Sequence, residues 1–159
     1  MKKKTIVQII IAVFIIFLFR QIFLSGAYEF IHETDDWDST TIEIIRVDGS
    51  IDSTHYTTTP YEEAYCEDKI TVLALILDKQ QFIHDLNNLS SYQPLGEPIE
   101  CLVGDMIRCT YPDGSIELIS SYGAALVSNS EVLVQTKTFD SEVFDQFLSD
   151  WILRTSSNN

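Results

Sequence analysis

The chain has 159 residues, a net charge of −14 at pH 7, 45% hydrophobic residues and 11% aromatics. That length suits one domain with a core of its own. The charge excludes DNA, RNA and electrostatic adhesion to anionic lipid, because a strongly acidic surface repels polyphosphates and anionic headgroups; it leaves a basic protein or peptide as a partner, or plain solubility.

Residues 5–19 contain one strongly polar side chain, Gln8, and are followed by Arg20-Gln21 and Ile22-Phe23-Leu24. As a helix, residues 5–24 reach about 30 Å, the hydrocarbon thickness of a bilayer. Lys2, Lys3 and Lys4 precede this stretch, and Glu29, Glu33, Asp35, Asp36 and Asp38 follow it. Such a basic flank predicts a single-pass span with the N-terminus cytoplasmic and the rest of the chain extracytoplasmic. Arg20 lies one turn from the outer end, within reach of the headgroups through its long stem. A cleaved signal peptide competes with this reading, since Ser25-Gly26-Ala27 supplies the small residues of a cleavage site and would give a protein secreted after cleavage near Ala27. The length of the apolar core and the intruding Arg20-Gln21 favour the retained anchor, and no cysteine near residue 27 is available for lipid attachment. Residues 1–27 are therefore read as membrane anchor or signal peptide. Their four cations and no acids take the remainder from −14 to −18.

Residues 28–40 are acidic and polar around Trp37, which reads as a linker. Glu33, Asp35, Asp36 and Asp38 lack the ligand alternation, turn glycine and closing glutamate of an EF-hand loop, so a solvated stalk is expected in place of a calcium site. The extracytoplasmic domain is expected over 41–154. Residues 41–47 are β-branched and apolar, and Asp48-Gly49 predicts a tight hairpin whose second arm is 50–56. Pro60 ends or edges that arm. Residues 69–77 form a continuous apolar run, which predicts a strand buried on both faces. Asp78 can cap a helix over 78–89, with Gln81 completing a capping box and Phe82, Ile83, Leu86 and Leu89 on one side.

Pro94, Gly96 and Pro98 carry a crossover to an extended 99–103. Alternation over 106–111 places Ile107, Cys109 and Tyr111 on one side and Arg108 and Thr110 on the other. Pro112-Asp113-Gly114 turns the chain, so 115–121 returns antiparallel. Further strands are expected at 124–127 and 131–136. A last helix over 141–153, capped by Asp140 or Ser141, carries a stripe of Val143, Phe144, Phe147, Leu148, Trp151 and Ile152. Residues 155–159 are a polar tail. Asp-Gly-Ser-Ile followed by an acid occurs at 48–52 and 113–117; turn chemistry alone explains both copies.

Together these elements predict an α+β fold, an antiparallel β-sheet of about five to seven strands packed by two amphipathic helices and preceded by the N-terminal span or signal sequence. The order from the apolar strand at 69 through the Asp-capped helix to Tyr-Pro-Asp-Gly-Ser and the strands ending at 136 resembles a loose group of small bacterial exported or lipoprotein-like domains. The resemblance implies a cell-envelope location and an α+β fold, and no catalytic residues.

His32, His55 and His84 lie in no metal-binding frame, and the spacings of Cys66, Cys101 and Cys109 are not metal-like. One disulfide plus a free thiol, or three partly buried small side chains, both fit the cysteines. A thiol nucleophile at Cys109 with His55 or His84 is opposed by the inward phase of Cys109, since burial without a cation leaves a thiol inert. Serine-nucleophile and phosphate-cradling motifs are missing. Tyr56, Tyr61, Tyr65, Tyr92, Tyr111 and Tyr122 either line a groove or cap the sheet. No catalytic, cofactor-binding or metal-binding residue is assigned. The expected function is a non-enzymatic binding or accessory domain of the cell envelope; the alternatives are an immunity-type or inhibitory protein, and an envelope hydrolase or thiol enzyme using Cys66, Cys101 or Cys109.

Overall fold

Runs of β-branched and aliphatic residues with period two, punctuated by Gly and Asp turns, build a sheet here, and two Asp-capped amphipathic segments cover it. A computed structural model describes residues 28–47, 70–89, 91–92, 104–128, 131–135 and 138–157. The strands are β1 (Thr41–Val47), β2 (Ile70–Leu75), β3 (Ser91–Tyr92), β4 (Gly104–Thr110), β5 (Ile116–Ser120), β6 (Gly123–Ser128), β7 (Glu131–Gln135) and β8 (Thr138–Phe139), with helices α1 (Lys79–Asn87) and α2 (Ser141–Ser156). Six strands form one antiparallel sheet in the order β2-β1-β4-β5-β6-β7, and β3 pairs with β8 in a separate ribbon. The α+β class and the helix-covered antiparallel sheet are as expected.

The β4–β5 hairpin follows its turn residues. The Gly114 N–H donates to the Tyr111 carbonyl, and the Tyr111 N–H donates to Ser115 O, both at 2.9 Å. Pro112 occupies the second turn position, and Gly114 takes φ +85°, a conformation that costs a glycine nothing. The register that follows pairs Ile107 with Ile119 and Cys109 with Glu117.

Alternation divides the sheet into two faces. Ile42, Ile44, Ile107, Cys109, Ile119, Ala124 and Leu126 point toward the helices and join Phe82, Leu86, Phe144, Phe147, Leu148 and Trp151 in the main core. Ile45, Val47, Met106 and Leu118 form a smaller cluster on the opposite face. Phe82 is the hinge of helix packing, with its ring centroid 5.2 Å from that of Phe147 and 5.1 Å from that of Trp151. On the second face the cross-strand pair Glu43 and Arg108 meets at 2.6 Å, both side chains largely shielded.

Several expectations are corrected. β2 sits at the edge of the sheet, so the run read as buried on both faces leaves Val72 and Leu75 each 49% exposed and Leu77 79% exposed. A continuous apolar run does not specify whether its strand is central or marginal. Asp78 caps α1 by accepting from the Gln81 N–H at 3.2 Å, but the Gln81 side chain donates forward to Asp85 at 2.7 Å and leaves the capping box half built. Val143, placed in the apolar stripe of α2, is 48% exposed. The arm 50–56, the 99–103 segment and the N-terminal span lie outside the described residues; both edges of β1 are taken by β2 and β4. Among the described residues no helix is long and apolar enough to cross a membrane.

Residues 28–40, read as a solvated linker, lie on the domain as a strap. Tyr28 is 2% exposed and belongs to the main core, and Phe30, Ile31 and Trp37 pack against it. A turn then leads into β1, closed by the Thr40 N–H donating to Trp37 O at 3.2 Å and the Ser39 N–H donating to Asp36 Oδ1 at 3.1 Å.

Candidate functional site

β5 reads Ile-Glu-Leu-Ile-Ser, and its alternation puts Glu117 in phase with Ile119 on the helix-facing side. The sheet register aligns Ile42, Cys109, Glu117 and Leu126 in one row across four strands. Glu117 is consequently 0% exposed, with an apolar residue or a thiol on either side. A carboxyl group in such a place needs hydrogen-bond donors around it.

Four donors converge. The Tyr28 hydroxyl donates to Oε1 and the Tyr111 hydroxyl to Oε2, each at 2.8 Å. The backbone N–H groups of Ile31 and His32 donate to Oε1 at 3.0 Å and Oε2 at 3.2 Å. Each carboxyl oxygen therefore receives one phenol and one amide. Three of these donors come from the strap and one from the β4–β5 turn, so Glu117 ties the N-terminal segment to the sheet.

Aromatic rings close the site. The His32 ring stacks on Tyr111, with centroids 3.9 Å apart and planes at 14°, and its Nε2 meets Asp113 Oδ2 at 3.1 Å. The His32 Nδ1 is buried with no hydrogen-bond partner among the described residues. Tyr28 packs edge-on to Phe30, at 5.1 Å, and Phe30 against Trp37, at 4.7 Å. Asp113 Oδ1 also accepts from the Ser115 hydroxyl at 2.6 Å and the Ser115 N–H at 2.9 Å. The Ser115 hydroxyl, then the Ser115 amide, then His32 draw the Asp113 carboxyl down to about 2. Burial, followed by the nearby Glu117 carboxyl, holds the Tyr28 phenol well above its ordinary value. Burial also raises Tyr111, with Cys109 and Glu117 adding to the shift.

The chemistry available to this cluster is limited by its saturation. Cys109 is free and 1% exposed, and burial, then Glu117 across the strand, raise its thiol well above the ordinary range. A thiol so placed stays protonated and is a poor nucleophile. Cys66, Cys101 and His55 lie outside the described residues. His84 is on the exposed side of α1, its Nε2 3.1 Å from Asn88 Nδ2. Among the described residues no three His, Cys, Asp or Glu side chains gather as a metal site, and Asp36 is engaged in the strap turn. Tyr111 is buried and Tyr122 is 44% exposed, while Tyr56, Tyr61 and Tyr65 lie outside the described residues. The strap's outer side forms an open depression of about 680 Å³ lined by Glu29, Glu33, Thr34 and Asp35 beside the rings of Phe30, His32 and Trp37.

Sequence reasoning missed Tyr28 and Glu117. Glu117 had a signal, being the acid of β5 in phase with Ile119. Tyr28 had none, since Glu29 and Glu33 beside it are the composition of a linker. Fold and site thus define an α+β domain whose N-terminal strap is tied to its sheet by a buried carboxyl group. No protein family, curated protein or solved structure matches the chain.

Proposed function

We propose that this is a membrane-tethered, extracytoplasmic, non-enzymatic binding or accessory domain of the cell envelope. The observation that carries the non-enzymatic reading is the occupancy of Glu117: among the described residues it accepts three hydrogen bonds from the strap and one from Tyr111, and the neighbouring Cys109 thiol is sealed in the core. A general acid or nucleophile must meet substrate. Glu117 and Cys109 are 0% and 1% exposed. The tether rests on the apolar 5–24 stretch with Lys2, Lys3 and Lys4 before it and an acidic domain after it. The excess of carboxylates fits a partner with a basic surface, which would be steered to it and matched by charge.

In-cell photo-crosslinking from exposed positions Glu142 and Asp145 of the full chain, on α2 and away from the strap, tests the role. Capture of an envelope protein or peptide with a basic surface is the expected result. Recovery of nothing from the envelope, together with turnover of a substrate by the purified chain, would overturn it. An immunity-type role, protecting the cell from a basic exported toxin, rests on the same acidity and would appear as capture of that toxin.

A further inference from the structure

The strap changes what a tether at 5–24 would do. Ser25, Gly26 and Ala27 alone separate Leu24 from Tyr28, and Tyr28 is already in the core. Four residue steps span at most about 14 Å even when fully extended. A stalk of residues 28–40 would have added tens of ångströms of loose reach at about 3.3 Å per residue; the hydrogen bonds to Glu117 and the His32–Tyr111 stack remove that reach. Resting on the membrane tether proposed above, we infer that residues 28–40 act as a rigid coupler that seats the domain directly on the zwitterionic headgroup layer of the outer leaflet.

The chemistry of the strap's outer side decides which lipid it fits. Residues 28–40 carry no Lys or Arg, and Glu29, Glu33 and Asp35 surround the half-buried Trp37. Anionic headgroups would be repelled by these carboxylates. The ammonium groups that zwitterionic headgroups present outermost are attracted by carboxylates and by an aromatic face, and tryptophan favours the interfacial layer. Glu117 is a positioning residue here, because it meets no lipid and acts through the strap.

The test uses the full chain in phosphatidylcholine vesicles containing a lipid with a spin label on its headgroup. Flotation reads the tether, and quenching of tryptophan emission reads the seat. The chain has two tryptophans, Trp37 and Trp151, so the difference between the wild type and Trp37→Phe reports Trp37; Trp151→Phe, which retains Trp37 alone, gives the same reading independently if Trp37→Phe loosens the strap. The expected result is flotation with loss of most Trp37 emission, a weaker loss in vesicles rich in phosphatidylglycerol, and restored emission when a twenty-residue Gly/Ser insert after Ala27 adds about 25 Å of average reach. A chain that floats while Trp37 stays unquenched, or is quenched equally with the insert, overturns the coupler and leaves the tether standing. A chain that does not float overturns both.

Discussion

Replacing Glu117 by alanine removes the acceptor shared by two phenols and two backbone amides. Tyr28 and Tyr111 are each 2% exposed, so their hydroxyls are left buried without partners. At about 1–3 kcal/mol for each stranded donor the loss is about 2–6 kcal/mol, and relief of the carboxyl group's own desolvation moves it to about 2–4 kcal/mol. The amides of Ile31 and His32 are only partly buried and can turn to water as the strap lifts, so they add little. A domain of this size has roughly 5–15 kcal/mol to lose, so Glu117→Ala remains folded but melts earlier, by about 10 °C. Urea unfolding of the full chain in detergent micelles, followed by tryptophan emission, measures the loss. Tyr28→Phe removes one hydrogen bond to a carboxyl group and costs about 1.5–3 kcal/mol in the wild type. In the Glu117→Ala background the same change has nothing left to break, giving a coupling energy above about 1 kcal/mol. Glu117→Gln falls between, because in either orientation its amide nitrogen faces a backbone N–H, that of Ile31 or of His32, donor against donor. Additive effects, or Glu117→Ala within about 0.5 kcal/mol of the wild type, would refute the tie.

Three further outcomes follow from the same geometry. Because the Asp113 carboxyl is drawn below its ordinary 3.8 to about 2 in the folded chain, its stabilising contribution is complete above the unfolded value and fades as pH falls from about 4 through 2; the carboxyl ¹³C shift should titrate in that low range, and a midpoint near 4 would contradict the Ser115 and His32 contacts. Cys109 should resist maleimide in the native chain at pH 8 and react on unfolding, read by mass spectrometry; native labelling would contradict its burial. Asp140→Ala strips α2 of the cap that accepts from the Glu142 and Val143 N–H groups, at 3.1 and 3.2 Å, and should lower stability by about 1 kcal/mol in the same urea assay; an unchanged midpoint would mean that water replaces it.

What was legible in the chain was what short-range chemistry decides. Pro112-Asp113-Gly114 fixes a hairpin because Pro and Gly each suit one turn position, and Asp78 and Asp140 mark helix starts because their side chains satisfy free amides. The stripe of Phe82 and Leu86, and most of that on α2, follows from helical spacing alone. Hidden from such reading was what depends on partners far along the chain. Tyr28 is buried because Glu117 accepts from it, 89 residues away, and no local pattern connects them. β2 looked central because its run is wholly apolar, and only the sheet order makes Leu75 and Leu77 an exposed margin. The charges of the strap suggest a linker, whereas the Tyr28 hydroxyl, the Ile31 and His32 amides and the packed rings of Tyr28, Phe30, His32 and Trp37 determine where it lies.

The proposed tether holds an acidic domain at the outer face of a membrane. Carbonate extraction of membranes from cells expressing the full chain, combined with protease added to intact spheroplasts, tests that directly. The chain should stay in the membrane pellet and lose its domain to the external protease, leaving a fragment of the Lys2-to-Leu24 region behind. Recovery of the intact chain in the soluble cytosolic fraction, shielded from that protease until the cells are lysed, would contradict it.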